Sequence, residues 1–294
     1  MTGTAPAVRI TPLKAIAWTI AFIVLGTVLM FVAAVPPTLF FAGGLTTDVE
    51  HALTIAELTI VQGVSGTLGF GLATWLVGVR AARLSWKDLR WRGSGLALRG
   101  GLLGFALGGA ASALAMALAV VVAGASWLPD QGTVAAWLGQ SAKSALVLLP
   151  AAAWEEFAFR GVPLVLLAAA FGRLPAVLVT SAAFAVLHGL NPSVTPLGLA
   201  NIGLAGIFLA MAFWAPGGIW TATGAHLGWN TVMASLDAPV SGLPFAMPFI
   251  DYAPGAPAWL TGGSFGPEGG VLATLTIIGA TGAARYWQRK DVVA

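Results

Sequence analysis

Ala151-Ala152-Ala153-Trp154-Glu155-Glu156-Phe157-Ala158-Phe159-Arg160 sets two adjacent carboxylates and a guanidinium in the middle of an otherwise apolar segment. An ionisable residue at the centre of a membrane helix costs roughly 2.5–3.5 kcal/mol on insertion scales. Three of them within six positions require a compensating arrangement of partners. Two of the chain's three histidines, His188 and His226, lie inside later apolar segments. That concentration of polar chemistry points to a site built within a membrane.

Composition fixes the solvent. Hydrophobic residues make up 58% of the chain and charged residues 9%, with a mean hydropathy of +0.88. Soluble domains carry about 25% charged residues, so the sequence predicts an all-α, polytopic membrane helical bundle. No composition break marks off a soluble part, and residues 1–294 read as one integral membrane domain. The absence of cysteine excludes disulfides, a thiol nucleophile and thiolate metal ligands. No nucleic-acid partner is expected; the expected partner is the lipid bilayer.

At about 20 residues per crossing, eight spans account for the apolar segments: 14–35, 52–79, 100–124, 141–170, 174–187, 197–214, 218–236 and 270–287. Pro150 in the fourth predicts a kink or a broken start there. With eight crossings, Arg9, Lys14, the cluster Arg80, Arg83, Lys87, Arg90, Arg92 and Arg99, then Arg173, Arg285, Arg289 and Lys290 all fall on one side. Asp48, Glu50, Asp130, Asp237, Asp251 and Glu268 fall on the other, with Lys143 the one cation among them. The positive-inside rule then puts both termini in the cytoplasm of a cell inner (plasma) membrane protein. Trp75, Trp127, Trp137, Trp214, Trp220 and Trp287 sit near span ends, as an aromatic belt would place them. The first apolar run is too long for a secretory signal core and reads as a retained anchor. Arg80–Arg99 reads as a positive-inside loop, with a short amphipathic stretch on the inner leaflet as the alternative. The Pro- and Gly-rich outer loop 237–268 carries Phe245, Phe249, Tyr252, Trp259 and Phe265, and is expected to pack on the bundle's outer mouth.

Helical spacing organises the polar residues. Glu156 and Arg160 are four apart and share a face, so they can pair. Glu155 points about 100° away, free to face a cavity. Phe184 and His188 are again four apart, as are His226 and Asn230. A carboxylate in a low-dielectric pocket suits a general base, an imidazole can polarise water, and a His with an Asn can donate to a developing oxyanion. Those are the parts needed for water attack on an amide. Glu57 and Gln62 read as span-end polar groups, with a role in the cavity as the alternative, and His51 as an exposed loop residue.

Glu155-Glu156-x-x-x-Arg160, Phe184-x-x-x-His188 and His226-x-x-x-Asn230, in that order on successive helices, resemble the three motifs of the CPBP family of intramembrane proteases. That family includes the CAAX prenyl endopeptidases of the Rce1 type and the bacterial Abi proteins. The resemblance covers about residues 141–236. It implies a catalytic set of Glu155 as general base with His188, His226 and Asn230 as oxyanion hole, and Glu156 with Arg160 as a supporting pair. It also implies a membrane-anchored protein or peptide as substrate. No cofactor is expected on the glutamic reading. The alternative is a zinc site of Glu155, His188 and His226 with an open position, although the His-Glu-x-x-His helix motif is missing. Two other classes stand beside the protease: a catalytically silent scaffold or bacteriocin-immunity protein acting by partner binding, and a proton-coupled transporter. The paired hydropathy pattern of inverted repeats, which a transporter would favour, is not evident.

Overall fold

The computed structural model describes residues 9–45 and 48–290. It shows an all-α helical bundle with a small two-stranded ribbon at one end. Helix α1 spans Pro12–Ala42 and α2 is the single turn Val49–Ala52. α3 (Ile55–Ala73) runs on as a wide-turn segment, Thr74–Ala81, and α4 covers Ser94–Ala123. After strand β1 (Ser126–Pro129) come α5 (Val134–Glu156), a second wide turn (Phe157–Gly161), α6 (Val162–Phe171) and α7 (Arg173–Leu187). The tight turn His188–Leu190 leads to α8 (Pro196–Trp214), and α9 covers Ile219–Ser235. Strand β2 (Ile250–Ala253), α10 (Ala258–Thr261) and α11 (Val271–Lys290) complete the order.

Among the described residues, five helical segments are long and apolar enough to cross a membrane: Pro12–Ala42, Ile55–Ala81, Ser94–Ala123, Arg173–Leu190 and Pro196–Trp214. Their exposed faces carry large apolar side chains, such as Ile20, Val24, Phe31, Leu68, Leu114 and Val121, which in a bilayer meet lipid tails. Helix α9 is largely interior. α9 buries Thr221, Thr223, His226 and Asn230, so its polarity is spent inside the bundle. The chain ends, whose side the charge pattern predicts, fall partly outside the described residues.

Two of the basic residues meet at the end of α8. Arg90, between α3 and α4, donates from its guanidinium to the carbonyls of Phe213, Trp214 and Ala215, which end α8. Arg173, at the start of α7, lies 4.3 Å above the Trp214 ring. The 82–93 connection is therefore a packed cap and not a leaflet helix. Trp91 pairs with Gly218 and packs edge-to-face against Trp220 (5.4 Å) and tilted against Phe157 (4.7 Å). Trp220, half-buried at the start of α9, joins this cluster.

Small residues set the closest helix approach, because without a hydrophobic drive between spans close backbone packing holds them together. Gly100, Gly104 and Gly108 of α4 face α9, and Gly224 and Gly228 of α9 face α4. A Cβ at Gly108 would overlap the Ala225 carbonyl, and one at Gly228 the Phe105 carbonyl. The same device brings α3 to α5: a Cβ at Gly63 would stand 2.6 Å from the Ala151 amide nitrogen. Both helices that carry the central polar residues are thus seated against glycine.

Helix α5 begins before the apolar run at 141, because Thr133 caps it by accepting from the Ala136 N–H (3.2 Å). Helix α5 also runs through Pro150 without interruption. The irregularity expected there falls instead at Phe157–Gly161, where Pro163, with no N–H to donate, follows the wide turn. At the opposite end from the arginines, β1 pairs antiparallel with β2, and the 237–270 segment lies over the bundle. Phe245 and Phe265 are buried in it as expected, whereas Phe249 and Trp259 remain exposed. Asp237 pins this segment by accepting from the Met247 and Tyr252 N–H groups (3.0 Å each). Burial outweighs those bonds and pushes its carboxyl above the usual range. Glu57 sits in a capping box with Thr54, and His51 is exposed beside Asp48.

Candidate active site

Four elements deliver the site: the last turn of α5, the wide turn after it, the junction of α7 with the His188 turn, and the middle of α9. Glu156 and Arg160 are both fully buried, with Arg160 Nη1 3.1 Å from Glu156 Oε1. Arg160 also donates to the Gly206 carbonyl (3.3 Å) and stands 4.3 Å over the Phe184 ring. Glu156 has a second partner that the sequence did not suggest. Its Oε1 lies 3.0 Å from His226 Nδ1, so the paired carboxylate also orients an imidazole.

Glu155 points elsewhere, as the helical angle requires. Its Oε2 is 3.9 Å from His188 Nε2 and 3.8 Å from His226 Nε2. Those distances exceed a direct hydrogen bond and suit a bridging water. The Nδ1 atoms of both rings are already engaged, since His188 Nδ1 is 2.8 Å from the Phe184 carbonyl oxygen. A carbonyl can only accept, so His188 Nδ1 carries a proton. In the neutral ring Nε2 then presents a lone pair. The 3.6-residue period makes the Phe184 carbonyl available here: His188 ends α7 and folds its ring back over the last turn. The Phe184 ring packs 4.6 Å from His188 and 5.9 Å from His226, walling off the two imidazoles.

A cavity of about 140 Å³ joins these groups, lined by Glu155, His188, His226 and Asn230. Gln62 of α3 and Phe245 of the overlying segment close its rim. Gln62 is thus a cavity residue, and Glu57 is not. Of the six residues singled out from the sequence, Glu155, His188, His226 and Asn230 line this space, and Glu156 and Arg160 lie behind it, joined to it through His226. Among the described residues, no group of three His, Asp or Glu side chains is arranged to hold a metal ion.

One further acid sits beside them. Glu268, read from the sequence as an outer-loop charge, is 5% exposed and lines a smaller cavity of about 20 Å³ with His188, His226 and Asn230. Its Oε1 accepts from Trp229 Nε1 (3.1 Å), and its Oε2 from the Ser241 N–H (2.6 Å) and hydroxyl (2.8 Å). Burial pushes its carboxyl above the usual range, against the lowering pull of the Ser241 hydroxyl and the nearby imidazoles. Nothing in the sequence around Pro267-Glu268-Gly269 signals this. The contact is set by the return path of a long loop.

A carboxylate and two imidazoles are thus gathered inside an apolar helical bundle, beside a second carboxylate paired with arginine. Residues 136–232 match the family model described as type II CAAX prenyl endopeptidase Rce1-like. The match runs from the first turn of α5 into α9 and includes all six residues. Comparison with curated proteins and with solved structures finds no match.

Proposed function

We propose that the chain is an intramembrane endopeptidase that hydrolyses a peptide bond in a membrane-anchored protein or peptide by a glutamic mechanism. The observation that supports this best is the position of Glu155 Oε2, nearly equidistant from two Nε2 atoms whose rings are each held through Nδ1. A water between Glu155 and His188 donates one hydrogen to the carboxylate and the other to the His188 Nε2 lone pair. Its own lone pair is then aimed at the substrate carbonyl. As the C–O bond forms, Glu155 takes the proton and the carbonyl electrons move to oxygen. His226 Nε2–H and the Asn230 amide donate to that oxyanion. The His226 ring carries both protons in this role, with Nδ1–H donated to the Glu156 carboxylate. Collapse breaks the C–N bond, and the leaving amine takes the proton from Glu155.

Glu156 and Arg160 act one step back, holding His226 and fixing the α5 turn. The bilayer supplies the route for an anchored substrate, and the 237–270 segment covers the cavity from the other side. Glu155→Gln tests the reading: it is expected to insert and purify like wild type and to leave uncleaved the proteins that wild type cuts. Comparing membrane proteomes with wild-type and Glu155→Ala protein identifies those substrates. Wild-type turnover by Glu155→Gln would remove Glu155 from the mechanism.

A further inference from the structure

Glu268 has no part in the mechanism above, yet it is a buried carboxylate with every donor around it fixed. One oxygen takes the Trp229 indole N–H, and Trp229 lies on α9 between His226 and Asn230. The other takes both donors of Ser241. Ser241 adopts a left-handed backbone (φ 49°), uncommon for a residue with a side chain, and this turns its N–H and hydroxyl to the same oxygen. The Ser241 carbonyl in turn accepts from Asn191 Nδ2 (2.9 Å), and Asn191 closes the turn that begins at His188. The Glu268 backbone is anchored separately. Its carbonyl and that of Gly270 both accept from Asn201 Nδ2 of α8 (2.7 and 2.9 Å). Glu268 thus stands at the centre of a hydrogen-bonded bridge with one arm on the His226–Asn230 helix and the other on the His188 turn.

We propose that Glu268 is a positioning residue of the site, whose carboxylate sets the spacing between the His188 and His226 imidazoles by tying their two supporting elements together. A carboxylate suits this place because all three groups that meet it are donors, and an ionised acid is acceptor-only with room for them. Charge-assisted bonds of this kind are about twice as strong as neutral ones. A glutamine would turn an N–H₂ toward one arm and release it. The proposal rests on the hydrolase reading for its consequence, which is control of the imidazole geometry that water activation requires.

Diethyl pyrocarbonate, read at each histidine by peptide mass spectrometry on the full-length protein in detergent, tests it without requiring turnover. The chain has three histidines, and exposed His51, with 85% of its side chain accessible, is the internal standard. In Glu268→Gln the rates at His188 and His226 are expected to rise together by about tenfold, the factor for losing one charge-assisted bond, with His51 unchanged. Asn201→Ala loosens the same turn through its backbone only, and is expected to lower the melting temperature while leaving both rates near wild type. Trp229→Phe removes one arm and is expected to raise the rate at His226 above that at His188. In the cleavage assay, Glu268→Gln is expected to lower kcat and leave KM. Unchanged rates in Glu268→Gln, or equal increases in Asn201→Ala, would overturn the role. If Glu268→Gln does not fold, equal rates at the two rings in Trp229→Phe overturn it instead. Failure of the hydrolase reading shows separately, as wild-type cleavage by Glu155→Gln.

Discussion

Replacing Arg160 with methionine removes the partner of a carboxylate that has no solvent to turn to. Glu156 and Arg160 are both fully buried and 3.1 Å apart. Breaking a buried pair from one side typically destabilises by about 3–5 kcal/mol, because the remaining charge is uncompensated. Here Glu156 keeps one partner, His226 Nδ1 at 3.0 Å. That contact offsets part of the loss and puts the expected penalty near the lower end, about 3 kcal/mol. The lost bond to the Gly206 carbonyl and the lost contact over the Phe184 ring add smaller amounts. A double variant, Glu156→Leu with Arg160→Met, removes both charges together. Exchanging a buried pair for apolar residues is often neutral or better, so stability is expected to return to within about 1–2 kcal/mol of wild type. Turnover should not return, because His226 has lost the carboxylate that orients it. Thermal melts in detergent read the stability of all three proteins, and peptide cleavage reads the rest. An Arg160→Met protein as stable as wild type, or a double variant no more stable than the single, would refute the pairing argument.

Gly108→Ala forces a methyl group against the Ala225 carbonyl, and overpacking of this kind costs about 1–3 kcal/mol. It is expected to lower the melting temperature and also to reduce cleavage, because the displaced helix carries His226 and Asn230. A melt unchanged from wild type would show that α4 and α9 are not seated on these glycines. Strong chelators are expected to leave cleavage intact, with no stoichiometric metal in elemental analysis; one zinc per chain, lost and regained with activity, would overturn the glutamic assignment. Single cysteines at positions 155, 188 and 230, in a chain with none of its own, are expected to react in intact cells with a membrane-impermeant thiol reagent. Labelling only after the cytoplasmic face is opened would place the mouth on the inner side.

How much of this was legible in the sequence follows from the range of each interaction. Helical periodicity relates residues four apart, so the Glu156–Arg160 pair and the separate aim of Glu155 could be read directly, and both are present. It also put His226 and Asn230 on one face, and they line one cavity. The glycine rows of α4 and α9 were equally regular but had no partner in the linear pattern, so their use as a seat for α9 emerges only in three dimensions. The second role of Glu156 links residues seventy positions apart, and no local rule relates them. Pro150 misled for a different reason. A proline within a span reads as a break, yet α5 continues through it, and Thr67 of α3 donates to the Pro150 carbonyl (3.0 Å). Neighbouring helices satisfy such groups in a bundle, and a single sequence does not show its neighbours. Glu268 is the extreme case. Charge counting assigns an acid in a Pro- and Gly-rich loop to the outside. Its side chain still reaches back to a helix that carries two of the proposed catalytic residues, because the loop closes on Asn201, Trp229 and Ser241. Long outer loops over membrane sites therefore merit a search for buried acids before they are read as covers.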